Sequence, residues 1–186
     1  MKRLFIATKV ELNEQYMSLT RQLQRQLSGD RIVWVDSQLR HLTLRFLGQT
    51  PDYQIPKLKK ILNEVGNQTQ AFTLNMDKLG IFGSQYAPSV LWLGFSAFEP
   101  YRQLFENLEN QLLKLGFDPN QGNVVPHITL GRIKETQSKK YFWKVFENCQ
   151  PAFSQNIPIN EITLFQSHLQ PTGPIYKALH TAYLKQ

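Results

Sequence analysis

His41-Leu42-Thr43-Leu44-Arg45-Phe46-Leu47-Gly48 and Pro126-His127-Ile128-Thr129-Leu130-Gly131-Arg132 carry one pattern twice: His, aliphatic, Thr, Leu. Side chains alternate faces along a strand, so His41 and Thr43 point one way while Leu42 and Leu44 point the other, and the second copy repeats this. Each segment therefore reads as a strand with one core face and one polar, reactive face. Parity also places Arg45 on the face of His41.

The surroundings repeat too. Leu4 lies 37 positions before His41 and Leu91 lies 36 before His127. Leu12, Tyr16, Leu19, Leu23 and Leu27 recur at helical spacing until Gly29, and Tyr101, Leu104, Phe105, Leu108, Leu112 and Leu115 do so until Gly116. The order strand, helix, Gly stop, His-containing strand, helix is thus written in both halves. A second helix carries Ile55, Leu58, Ile61, Leu62 and Val65, and a weaker one spans 138–146. Strands are expected at 3–9, 32–35, 71–79, 90–95, 153–157, 161–167 and 176–184. Phe82-Gly83-Ser84 is faintly echoed by Phe165-Gln166-Ser167. If the halves pack about a pseudo-two-fold axis, the two His-Thr faces meet across a cleft.

Composition narrows the class. A chain of 186 residues, 41% hydrophobic, is long enough for one substantial core and too short for two large domains, so residues 1–186 are expected to form one unit. The net charge of +7 belongs to a packed protein with only 19% charged residues, and it favours anionic partners. Apolar runs such as Val90–Leu93 are far below the ~18 residues a membrane span needs, and the run after Lys2-Arg3 is too short for a signal sequence. No membrane association and a reducing cytoplasm are expected. Cys149 stands alone, which rules out an intrachain disulfide and a Cys-based zinc site.

Two facing imidazoles suit concerted proton transfer. Histidine titrates near ~6.5, so one ring can accept a proton while the other, protonated beside a bound anion, gives one up. In-line displacement at phosphorus needs both transfers, and the Thr hydroxyls, Arg45 and Arg132 offer contacts to phosphate oxygens. A lone His-x-Thr is ordinarily just a satisfied polar pair on a strand; the registered second copy shifts the weight to chemistry. Neither copy has further ligands at metal spacing, and no P-loop or GxGxxG occurs, so no metal and no cofactor is expected. His168 and His180 lack the Thr companion and are assigned to the surface or a strand end.

On these two motifs, with Leu164-Phe165-Gln166-Ser167 and Gly173-Pro174-Ile175-Tyr176, the sequence resembles the two-histidine phosphoesterases, and within them the bacterial and archaeal RNA 2′,3′-cyclic phosphodiesterases, also named 2′-5′ RNA ligases. The resemblance spans nearly the whole chain. It implies a bilobal, duplicated α+β fold in which two antiparallel sheets line a central cleft with helices outside. It implies metal-free hydrolysis of a 2′,3′-cyclic phosphate to a 2′-phosphomonoester, with reversible 2′-5′ ligation as an accompanying capacity. His41 would then be the proton donor and His127 the acceptor, Thr43 and Thr129 would hold phosphate oxygens, Arg132 would add charge and Phe46 would lie near the base. Strand parity alone puts Phe46 and Arg132 on the face opposite the histidines, so these roles require the chain to bend. The implied partners are RNA with 2′,3′-cyclic phosphate ends or cyclic nucleotides, and the expected solution state is a monomer. Two other readings stay open: a non-catalytic RNA-end or nucleotide-binding module, and a phosphodiesterase acting on 2′-5′ oligonucleotides.

Overall fold

The computed structural model describes residues 1–122, 124–171 and 173–186. In chain order the elements are β1 (Lys2–Lys9), α1 (Glu14–Gln26), β2 (Arg31–Trp34), β3 (His41–Thr50), α2 (Ile55–Gln68) and β4 (Phe72–Gly83), followed by β5 (Pro88–Phe95), α3 (Glu99–Lys114), β6 (His127–Glu135), α4 (Lys139–Asn148), β7 (Gln155–Ile159), β8 (Glu161–Gln170) and β9 (Gly173–Tyr183). The strand-helix-strand-helix order expected of each half is present in both.

Local chemistry explains the helices. Asn13 accepts a hydrogen bond from the Tyr16 amide and Ser138 from the Tyr141 amide, capping α1 and α4, while α2 and α3 each begin with Pro in the first turn. Each helix then turns an apolar stripe inward: Tyr16, Leu19 and Leu23 on α1, and Leu58, Ile61, Leu62 and Val65 on α2. Tyr16 is fully buried, and its hydroxyl donates to the Met76 carbonyl at 2.7 Å. Burial pushes that phenol up to about 12, with Asp77 adding to the effect.

The strands run in the order β7-β4-β5-β6-β3-β1-β8-β9, every named pairing antiparallel, with β2 pairing the far part of β6. Thus β5 and β6 sit beside β4 and β7, while β1 and β3 sit beside β8 and β9. The final strands of each half have crossed to the opposite lobe. The two sheets expected along the cleft are joined where β3 and β6 meet, at the single pair Leu42–Ile128. One residue to either side, the antiparallel direction sets His41 toward Thr129 and Thr43 toward His127. The two histidines are then diagonal neighbours, a relation that places side chains roughly 7–8 Å apart on a regular ladder.

Among several irregularities in the ladders, two fall at corresponding points, one in each half. Along β1, Ala7 faces Thr43 and Ile6 faces Arg45, leaving Leu44 as an extra residue. Along β5, Trp92 faces Thr129 and Leu91 faces Gly131, leaving Leu130 as an extra residue. Each bulge shifts the side-chain phase by one position immediately after the Thr. The next residue on the cleft face is therefore Phe46 in the first half and Arg132 in the second. Both depart from simple parity, and both departures have this cause.

Candidate active site

The bulged strands line a cleft of about 790 Å³ whose walls include His41, Thr43, Phe46, His127, Thr129, Arg132 and Tyr176. Arg3 and Arg40 border it as well, and among the described residues no Asp or Glu lines it. None of these three arginines takes part in an ion pair among the described residues. A concavity with unspent guanidinium charge and no carboxylate attracts anions.

The two histidines are held alike. His41 Nδ1 lies 2.7 Å from the Leu39 carbonyl and His127 Nδ1 lies 2.9 Å from the Val125 carbonyl, each two residues upstream of its own ring. A carbonyl oxygen only accepts, so Nδ1 carries the proton and Nε2 is left free to exchange one. Aromatic rings fix the planes. Phe5 packs on His41 at 5.1 Å between centroids and is itself stacked on Phe165 at 5.2 Å; Trp92 lies 6.3 Å from His127 and 5.0 Å from Phe82. The faint echo between Phe82 and Phe165 thus corresponds to a duplicated aromatic support. The symmetry is not complete, because Tyr176 meets His41 edge-on at 5.3 Å while Phe82 itself meets His127 edge-on at 4.7 Å.

Burial holds both imidazoles below the ordinary value of about 6.5. The carbonyl contacts oppose this, and the Arg132 charge adds to it at both rings, as does the other imidazole at His41. The free site therefore favours two neutral rings. An anion placed between them would offset the Arg132 charge and raise the proton affinity of whichever ring it touched.

Arg45 is a correction to strand parity. The Leu44 bulge turns it away from the cleft, toward α3, where Nε donates to Glu109 Oε2 at 2.8 Å and Nη1 to the Phe46 carbonyl at 2.8 Å. Nη2 donates to the Asp118 carbonyl, and Glu109 Oε1 accepts from the Asn120 amide at 2.6 Å. Arg45 and Glu109, each 13% exposed, clamp the segment after α3 rather than a ligand. His168 is exposed and His180 bonds Asn63 at 2.8 Å; neither lines the cleft.

Sequence reading passed over several residues that build the site. Phe5 and Trp92 carried only a hydrophobic signal, and Tyr101 was one member of a helix stripe, yet its hydroxyl donates to the Thr43 carbonyl at 2.6 Å. Arg3, Arg40 and Gln49 stand in no motif and reach the cleft only through the fold, while Ser167, quoted in the Phe165-Gln166-Ser167 echo without a role, also lines it.

A fold of two crossed lobes around a paired-histidine, anion-attracting cleft defines a phosphoesterase scaffold. The LigT-like phosphoesterase family model matches the chain in two segments, residues 6–92 and 96–176. The chain belongs to the LigT-like phosphoesterase family. It is 32% identical over 182 residues to an RNA 2′,3′-cyclic phosphodiesterase of Thermotoga maritima, covering 96% of this chain and 93% of that protein. Among solved structures, TT0787 of Thermus thermophilus superposes with a TM-score of 0.80 at 25% identity, covering 98% of this chain and 97% of the other. E. coli LigT, solved with 3′-AMP, gives a TM-score of 0.70 at 22% identity over 100% and 99%, a likeness of fold. No helix of the described residues is long and apolar enough to cross a membrane.

Proposed function

We propose that residues 1–186 act as one unit that hydrolyses the 2′,3′-cyclic phosphate at an RNA end, or of a cyclic nucleotide, to a 2′-phosphomonoester. The observation that carries this is the mirrored pair His41 and His127, each with Nδ1 spent on a carbonyl two residues upstream and Nε2 left for proton exchange in one cleft. The Thermotoga maritima relative, an RNA 2′,3′-cyclic phosphodiesterase by name, supplies the substrate class.

His127 Nε2 takes a proton from water as the water oxygen bonds to phosphorus. The bond from phosphorus to the 3′ oxygen breaks, and protonated His41 gives its Nε2 proton to that oxygen, leaving a 3′ hydroxyl and a 2′ phosphate. Thr43 and Thr129 hydrogen-bond the non-bridging oxygens, and Arg132 balances the charge that develops on them. Phe46, 58% exposed at the cleft, offers its ring to the terminal base. With the 5′ hydroxyl of a second RNA in place of water, the same proton exchanges in the same direction form a 2′-5′ phosphodiester as the bond from phosphorus to the 3′ oxygen breaks.

The reading requires no metal. The test is hydrolysis of an RNA with a 2′,3′-cyclic end, with the product phosphate located by phosphorus NMR. A 2′-phosphate formed at the same rate in excess EDTA is expected; loss of turnover in chelator, restored by a divalent ion, would overturn the paired-histidine mechanism.

A further inference from the structure

Arg40 sits immediately before His41 but takes no part in the chemistry proposed above. Its exposure is 7%, and Nε is sealed from solvent with no hydrogen-bond partner among the described residues. It also takes no part in an ion pair there; Asp36, the acidic group whose charge acts on it, already accepts the Gln38 amide at 2.8 Å. A buried guanidinium stays charged and is costly to desolvate unless an anion or a full set of acceptors meets it. The open space that Arg40 borders is the cleft.

Its place differs from that of Arg132. The Arg132 charge, on β6, acts on His41, His127 and Tyr176, whereas Arg40 stands ahead of β3. Arg40 closes the short turn Ser37–Leu39 one residue ahead of β3, out of phase with His41 and Thr43 along the chain, and it borders the cleft together with Leu39 and Val35. A phosphate gripped by the two Thr hydroxyls lies on the His-Thr face; the group that Arg40 awaits lies beside it.

We propose that Arg40 forms a second phosphate subsite, which binds the phosphodiester on the 5′ side of the terminal nucleoside. The inference rests on the cyclic phosphate occupying the space between the His-Thr pairs. A 2′,3′-cyclic phosphate closes the 3′ end of its strand, so the neighbouring phosphate of an RNA substrate lies on the 5′ side. The subsite thus selects RNA ends over cyclic nucleosides with a single phosphate.

Binding tests this apart from turnover. Calorimetric titration compares adenosine 2′-phosphate, which has one phosphate, with adenosine 2′,5′-bisphosphate and with the dinucleotide ApA bearing a 2′-phosphate. The wild type is expected to hold both two-phosphate ligands about 10-fold to 100-fold more tightly than the monophosphate, as a charge-assisted contact allows. Arg40→Gln should collapse that ratio toward one, and Arg40→Lys should restore part of it. The slope of log affinity against log salt for the dinucleotide should flatten by about 0.7 in Arg40→Gln, a change that a purely structural role would not produce. A ratio unchanged in Arg40→Gln, or an equal loss for all three ligands, would overturn the subsite. A ratio that collapses for the bisphosphate but not for the dinucleotide would overturn its assignment to RNA. If the wild type shows the ratio but does not hydrolyse the cyclic phosphate, the proposed activity fails while the subsite stands.

Discussion

His41 and His127 spend the same nitrogen on the same kind of acceptor, and that equality makes their division of labour a matter of environment. Since burial holds both below about 6.5, the free enzyme reaches one neutral and one protonated ring only on the acidic side of that value. The pH profile of kcat/KM for a cyclic mononucleotide should accordingly be a bell with its maximum below 6.5, its limbs being macroscopic values of the coupled pair. Bound phosphate offsets the Arg132 charge, so the alkaline limb of kcat should lie at higher pH than that of kcat/KM. His41→Ala or His127→Ala should each lower turnover by about 10²-fold or more, and the double variant should be little worse than the worse single, because the pair acts as one unit. Thr43→Ala and Thr129→Ala should cost less. Single histidine variants that kept near-normal rates and an unchanged pH profile would remove the catalytic reading of both strands.

At the scale of the element, the bulges at Leu44 and Leu130 decide which side chains the cleft receives. They turn Phe46 and Arg132 inward and Arg45 outward, where it pairs with Glu109. Arg45→Met should therefore act on folding, leaving a largely buried carboxylate without its arginine partner at a cost on the order of 3 kcal/mol in urea denaturation. Adding Glu109→Gln should recover part of this loss. Hydrolysis of a cyclic mononucleotide well below the melting temperature should persist, and a collapse of kcat/KM with unaltered stability would return Arg45 to the binding site. The same bulges mark where sequence reading stops. Periodicity located α1 and α3 because their stripes are long and end at Gly29 and Gly116, and alternation oriented His41, Thr43, His127 and Thr129 because these precede the bulges. Beyond each Thr the phase depends on register with β1 or β5, a long-range pairing that no local pattern reports. Arg3, Arg40 and Tyr101 escaped for the same reason: their roles are contacts made across lobes and layers, while their local patterns read only as a strand edge, a loop and a helix stripe.

For the molecule as a whole, the crossing of final strands between lobes places both His strands at the junction and leaves Arg3, Arg40 and Arg132 around one opening. The formal charge of +7 has its clearest use there, because among the described residues no carboxylate lines the cleft to oppose the attraction of a polyanion. The effect on rate depends on how much charge the substrate carries. A cyclic mononucleotide brings one phosphate and feels mainly the arginines at the opening, whereas an oligonucleotide brings a series of phosphates that sample the wider basic surface before its end enters. Salt screens the second attraction over about 10 Å at 0.1 M, so raising ionic strength should reduce kcat/KM for an oligonucleotide with a cyclic end more steeply than for the mononucleotide. The comparison is made on one enzyme preparation at fixed pH, plotting log kcat/KM against log salt for both substrates. A steeper slope for the oligonucleotide is the expected result, and because the charge acts during approach, the difference should lie in kcat/KM while kcat at saturation stays nearly flat. Parallel slopes would mean that the basic surface takes no part in capture and that affinity for RNA ends resides wholly within the cleft.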